Sequence, residues 1–274
     1  MDAVRAPAVS GRFYPGSPSD LARTVRELLA GVAGAHLAPA RGAVVPHAGY
    51  PYSGVTAATV FARLYVPPLV VIVAPNHSGV ARAPGGAALW ESGAFRTPLG
   101  DVPVDERFAA ELAGACHLVQ PDHDAHRAEH AVEVLLPFLQ VVQPDVRIVP
   151  LVLAWDAWEP CRELGEALAG VAAAWPEPVL FIASSDLNHY EPASVSERKD
   201  RAALAALEVL DGAELLARCR RERISMCGRA PAATVAAATR ARGAERAEVV
   251  DYRHSGWATG DDGAVVGYAG VVIS

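Results

Sequence analysis

The stretch Val44-Val45-Pro46-His47-Ala48-Gly49-Tyr50-Pro51-Tyr52-Ser53-Gly54 decides the fold. It opens as an apolar run of buried-strand type, turns through Pro and Gly, and leads into a helix predicted over about 54–65, with Ser53 as its N-cap. His47 stands where strand becomes loop. Val70-Val71-Ile72-Val73-Ala74-Pro75-Asn76-His77-Ser78-Gly79 repeats the arrangement, and so does Val179-Leu180-Phe181-Ile182-Ala183-Ser184-Ser185-Asp186-Leu187-Asn188-His189. In an open α/β sheet, ligands bind in the crevice beyond the carboxyl ends of the strands. Three histidines delivered just past three strand ends can therefore converge on one site.

Outward from these strands the chain alternates strand and helix. An N-terminal arm, Ala8 to Gly16, precedes a helix capped by Ser19 or Asp20 and running to about Ala33, with Leu21, Val25, Leu28 and Leu29 on one face. Residues 79–103 are rich in Gly and Pro and read as short strands or a hairpin. Further helices are predicted near 104–115, 159–174, 195–209 and 212–221, with an Ala-rich one ending near Arg242. Strands are predicted through Leu118-Val119 and over about 146–153, 246–252 and 264–273. No linker, repeat or charge block divides the chain. The expectation is an α/β fold: a single domain over 1–274, with a central, mostly parallel or mixed β-sheet and helices on both faces.

Composition narrows the function classes. Of 274 residues, 51% are apolar and 20% charged, as in a globular chain. A formal net charge of −7 argues against a nucleic-acid surface. No apolar run approaches the length of a membrane span, and Met1-Asp2-Ala3-Val4-Arg5 does not start a signal peptide. Cys116, Cys161, Cys219 and Cys227 show no CxxC spacing, so reduced thiols and a cytoplasmic setting are expected.

Asp122 to Gln140 is predicted as a helix whose stripe Val132, Leu135, Leu136 and Leu139 faces the core. His126, His130 and Glu133 fall on another face, with Glu129 beside them. The general base of a zinc-protease motif would follow His126 directly, where Arg127 stands, so that motif fails. His130 or His126 can reach the site from this face; a solvated polar face has much the same sequence. Cys227 precedes a helix whose first turn carries Pro231. The helix dipole and Arg229 should favour its thiolate. A thiolate with two neutral imidazoles suits iron, copper or zinc. A metal-free hydrolase, with Cys227 as nucleophile and His189 or His47 as base, uses the same residues. Cys116, Cys161 and Cys219 read as small core hydrophobes.

At these residues the sequence resembles the Memo family, whose bacterial and archaeal members are called AmmeMemoRadiSam system protein B. The resemblance is carried by Gly11-Arg12-Phe13-Tyr14-Pro15, Pro46-His47-Ala48-Gly49-Tyr50, Pro75-Asn76-His77 and Glu129-His130-Ala131-Val132-Glu133. Ser184-Ser185-Asp186 with His189, and Met226-Cys227-Gly228-Arg229, complete it. It runs from Arg12 to Val266-Gly267-Tyr268, and implies the fold of the class III extradiol dioxygenase catalytic subunit. It also implies a metal site at His47, His77 and Cys227, with His189 matching the catalytic base of those dioxygenases. One departure is Ser255-Gly256-Trp257, where the family commonly has an acidic residue after Ser-Gly.

The combined expectation is a mononuclear metal protein, with iron (Fe2+) first and copper or zinc as alternatives. His47, His77 and Cys227 would be the ligands and His189 the acid/base group, with Asp186 and His130 beside them. Tyr50, Tyr52 and Asn188 are candidate pocket walls. Partners expected are an unidentified small-molecule substrate and other proteins, with neither nucleic acid nor membrane. The rival readings are a metal-handling protein without turnover and the metal-free Cys-His hydrolase.

Overall fold

The structure, a computed structural model, describes residues 3–32, 39–80 and 86–274. The expected helix end at Ala33 and part of the turn-rich stretch 79–103 lie outside these residues.

Four mainly apolar runs build the centre of a nine-stranded mixed sheet: β2 (Gly42–Val45), β9 (Val179–Ser184), β3 (Leu69–Pro75) and β8 (Arg147–Leu153). They lie side by side in that order, all parallel, with Val44 opposite Ala183 and Val73 opposite Ala183 and Leu151. Parallel strands need both faces covered, which is why these runs are apolar except at Arg147, which opens β8, and Ser184, which closes β9. Side chains alternate between the faces. Val71, Val73, Phe181 and Leu151 go to one core, and Val70, Ile72, Leu180 and Ile182 to the other.

The first core is roofed by α3 (Glu106–Ala115), α6 (Trp158–Ala174), α7 (Ala193–Glu208), α8 (Gly212–Glu222) and α9 (Arg229–Ala241). The second lies under α1 (Pro18–Ala30), α2 (Tyr50–Phe61) and α5 (Leu136–Val142). Beyond β2 the sheet continues antiparallel through β12 (Val265–Ile273), which also pairs with β10 (His189–Glu191) and β11 (Ala247–His254). Beyond β8 it continues through β4 (Ala87–Leu89) and β7 (Val119–Pro121). A separate three-stranded sheet joins β1 (Val4–Arg5), β5 (Ala94–Thr97) and β6 (Gly100–Pro103). The expected α/β architecture, with a mixed sheet between helical layers, is what the chain forms. None of the helices formed by the described residues is long and apolar enough to cross a membrane.

Three local expectations differ from the structure. Ser53 does not cap α2: the cap is Gly49, Pro51 sits in the first turn, and Ser53 Oγ donates to the Ala48 carbonyl (2.9 Å). Ser17 caps α1, its Oγ accepting from the Asp20 amide (3.4 Å). The continuous helix over 122–140 is broken: α4 (His123–Arg127) stops, and helical structure resumes only at Glu133. Between them the Glu129 carboxylate takes the Ala131 amide (2.8 Å), supplying a side-chain acceptor in place of a helical carbonyl.

Candidate metal and acid-base site

Because β2, β9 and β3 are neighbours and parallel, their carboxyl ends stand together, and the residues just past them meet. One ring nitrogen from each of His47, His77 and His130 lies within 4.8 Å of the others. The ring centroids are 5.1 Å apart for His47–His77, 5.4 Å for His47–His130 and 4.7 Å for His77–His130. Cys227 Sγ approaches His47 Nε2 to 3.4 Å.

The break at 128–132 is what brings His130 here. It points the His130 ring away from that of His126, which is buried and donates from Nε2 to the Ala88 carbonyl (3.0 Å) between Trp90 and Phe95. Burial pushes His126 down to about 4, and it takes no part in the cluster.

The His47 and His77 rings are held at Nδ1. Ser184 Oγ, 2.8 Å from His47 Nδ1, gives its one hydrogen to the Ala131 carbonyl (2.6 Å). It must therefore accept from His47, which fixes the Nδ1–H tautomer and leaves the lone pair on Nε2, facing Cys227. His77 Nδ1 lies 3.0 Å from Glu129 Oε1, and the His77 amide donates to Glu129 Oε2 (2.6 Å). His130 Nδ1 lies 3.4 Å from the same Oε1. One buried carboxylate thus aims the His77 ring and stands beside that of His130; carboxylates commonly orient metal-binding histidines in this way. Sequence reasoning gave neither Glu129 nor Ser184 a role; adjacency to His130 and to Asp186 was the available signal.

The charges follow from this. Burial, with His77 and His130 nearby, holds His47 well below the ordinary histidine range and so neutral. Burial also lowers His130. At His77 burial pushes down, but its hydrogen bond to Glu129 and the Glu129 and Asp186 charges together outweigh it, and the net shift is upward. Burial acts to raise Glu129, yet His77 and the Ala131 amide pull it down to about 2.

Gly228 makes the approach of Cys227 possible: a Cβ there would meet the Ser184 carbonyl at 2.3 Å and Ser185 Cβ at 2.4 Å. Cys227 Sγ accepts from the Asp186 amide (3.3 Å). The expected thiolate is not favoured in this state. Burial and then the Asp186 charge push the thiol up, and Arg229 turns away to Asp156 (2.8 Å).

Asp186 Oδ1 accepts from the His47 amide (2.9 Å) and does not hold the His189 ring. The His189 ring is instead held by the Ser225 carbonyl at Nδ1 (3.0 Å). Tyr50 is buried, its hydroxyl donating to the Val134 carbonyl (2.9 Å), and Asn188 is buried on Ser225, Glu191 and Ser196. Both are scaffold rather than wall; Tyr52 is exposed. The arm does reach the site, with the Phe13 ring edge-on to His130 at 5.0 Å. Cys116, Cys161 and Cys219 are buried, as expected.

The structure thus places a cluster of three imidazoles beside a cysteine at the strand ends of a parallel-centred α/β sheet, the crevice where such sheets commonly bind ligands. Residues 5–272 match the model of the Memo family, described as Memo-like protein, and the chain belongs to that family. It is 39% identical to a MEMO1 family protein of Methanopyrus kandleri, covering 98% of each chain. It is 38% identical to one of Methanosarcina barkeri, over 98% of this chain and all of that one. A MEMO1 family protein of Thermotoga maritima is 37% identical over 98% of this chain and 99% of its own.

Proposed function

We propose that the chain binds one transition metal ion through His47, His77 and Cys227, with iron first and copper or zinc as alternatives, and performs redox or dioxygen chemistry on a small substrate. The carrying observation is the convergence of three ring nitrogens within 4.8 Å beside a sulfur 3.4 Å from His47 Nε2. The donor set fits such an ion: nitrogen and sulfur suit borderline metals, and Nδ1 of His47 and of His77 is already committed to a protein partner. His130 faces the same point and either completes the set or walls it. The expectation of an extradiol dioxygenase-like fold belongs to this proposal.

When bound, the ion supplies Lewis acidity and one-electron redox chemistry at the crevice. The chain's own residues do the rest. Ser184 keeps His47 in the tautomer with a free Nε2, and Asp186 fixes the His47 backbone. Glu129 keeps His77 aimed and stands beside His130. His189 donates from Nδ1 to the Ser225 carbonyl, so its Nε2 is the atom that takes up or releases a proton at the rim.

The Cys227–His47 contact also favours a second reading, a thiol nucleophile with His47 as base. Iodoacetamide labelling of Cys227 separates the two. As a ligand it labels slowly in metal-loaded protein and recovers after chelation. Labelling rates that ignore the metal would defeat the metal reading. Buried Cys116, Cys161 and Cys219 serve as slow internal controls.

A further inference from the structure

A cleft of about 240 Å³ opens beside the site, between the ends of β3 and β8 and the start of α9. Pro75, Asn76, Leu153 and Trp155 line it, and Cys227 and Arg229 form one wall. Cys227 therefore borders the cleft and, through His47, touches the imidazole cluster. Among the described lining residues Arg229 is the one cation and Asp156 the one acid.

The way these two are paired points to a ligand. Arg229 Nη2 donates to Asp156 Oδ2 at 2.8 Å; Nη1 has only a long contact to the Met226 carbonyl (3.4 Å). A guanidinium is built to grip both oxygens of a carboxylate, and here it grips one. The pair is open to water, with side chains 33% and 53% exposed, so exchanging Asp156 for another carboxylate costs little. The half-buried Trp155 ring would cover part of the rest of a small molecule.

We infer that this cleft seats a small organic carboxylate, whose anionic group replaces Asp156 on Arg229 while its other end faces Cys227 and the imidazole cluster. The inference rests on the reading of that cluster as the functional site, and it names the substrate class: a small acid, not a neutral molecule or a phosphate ester. Arg229 is then a substrate-binding residue of the cleft and Asp156 its resident competitor.

Calorimetric titration with benzoate, its neutral analogue benzamide and inorganic phosphate tests this, on protein as purified and after chelation. Benzoate should bind in both states, because Arg229 is not a metal donor, so metal loss alone does not remove the signal. Arg229→Gln should weaken benzoate about tenfold, and Arg229→Lys less. Asp156→Asn, which removes the competitor, should strengthen it about threefold, an effect that a merely structural pair would not give. Benzamide should bind no better to wild type than to Arg229→Gln. Both positions are partly exposed, and an unchanged thermal midpoint checks that the variants fold. No benzoate binding at about 10 mM in Asp156→Asn would overturn the inference. An affinity indifferent to Arg229, or Arg229-dependent phosphate binding tighter than benzoate, would also overturn it. Failure of the metal reading shows elsewhere, in metal content unaffected by the histidines.

Discussion

Ser184 fixes the tautomer of His47. Its hydroxyl, with one hydrogen to give, lies 2.6 Å from the Ala131 carbonyl and 2.8 Å from His47 Nδ1, so the imidazole donates and Nε2 is left bare. The same serine ties β9 to the His130 loop, since Ala131 is the next residue. Ser184→Ala removes both bonds at a fully buried position. The expected outcome is metal affinity lowered about 10–100-fold with the fold retained, read by competition with a chelator of known affinity. Unchanged affinity would mean that the tautomer is set by something else.

Asp200 makes stability depend on pH in mildly acid solution. Its carboxylate is buried, accepting from the Asn188 amide (2.8 Å) and from the Tyr252 hydroxyl (2.8 Å), and so secures the Asp186–His189 loop. Burial raises it from 3.8 to about 6. A raised carboxyl means that the folded chain holds more protons than the unfolded one between about pH 4 and pH 6. Its contribution is therefore present below about 4 and lost as pH rises through about 6, by roughly 3 kcal/mol in total. The difference between wild-type and Asp200→Asn urea-unfolding curves should fall over that window and stay level above it. A flat difference would show that Asp200 titrates normally.

Glu133 pins the N-terminal arm. It accepts from the Ala8 and Val9 amides (2.7 and 3.0 Å), from the Tyr14 hydroxyl (2.5 Å) and from buried Arg5. That anchoring places Phe13 on His130. Glu133→Gln leaves a buried guanidinium uncompensated and should cost about 3–5 kcal/mol, with the arm becoming the first site of limited proteolysis. A loss below about 1 kcal/mol, with the arm still protected, would contradict this.

The strands carried most of what the sequence made legible. Apolar runs ending in Pro-His, Asn-His and Asp-x-Asn-His were readable because buried parallel strands leave no other pattern, and the sheet then places His47 and His77 together. His130 was readable only as a possibility. The pattern over 122–140 is helical, and nothing local reveals that Glu129 bonds the backbone at Ala131 and His77. Such pairings span many residues and have no short-range signature. Glu133, read as part of a polar face, serves the arm for the same reason. The upward push on the Cys227 thiol was not legible, because helix dipole and Arg229 are visible in sequence, whereas burial, Asp186 and the diversion of Arg229 to Asp156 are not. Caps at Ser17 and Gly49 lay a few residues from the expected positions, within the ordinary imprecision of helix ends.

The central claim is that His47 and His77 hold a metal ion. Elemental analysis of wild type, His47→Ala and His77→Ala after anaerobic Fe(II) loading and desalting tests it most directly, with circular dichroism to verify the fold. Wild type should retain about one ion per chain, and both variants should retain almost none while staying folded. Equal metal content in all three proteins, or an empty wild type, would contradict the account.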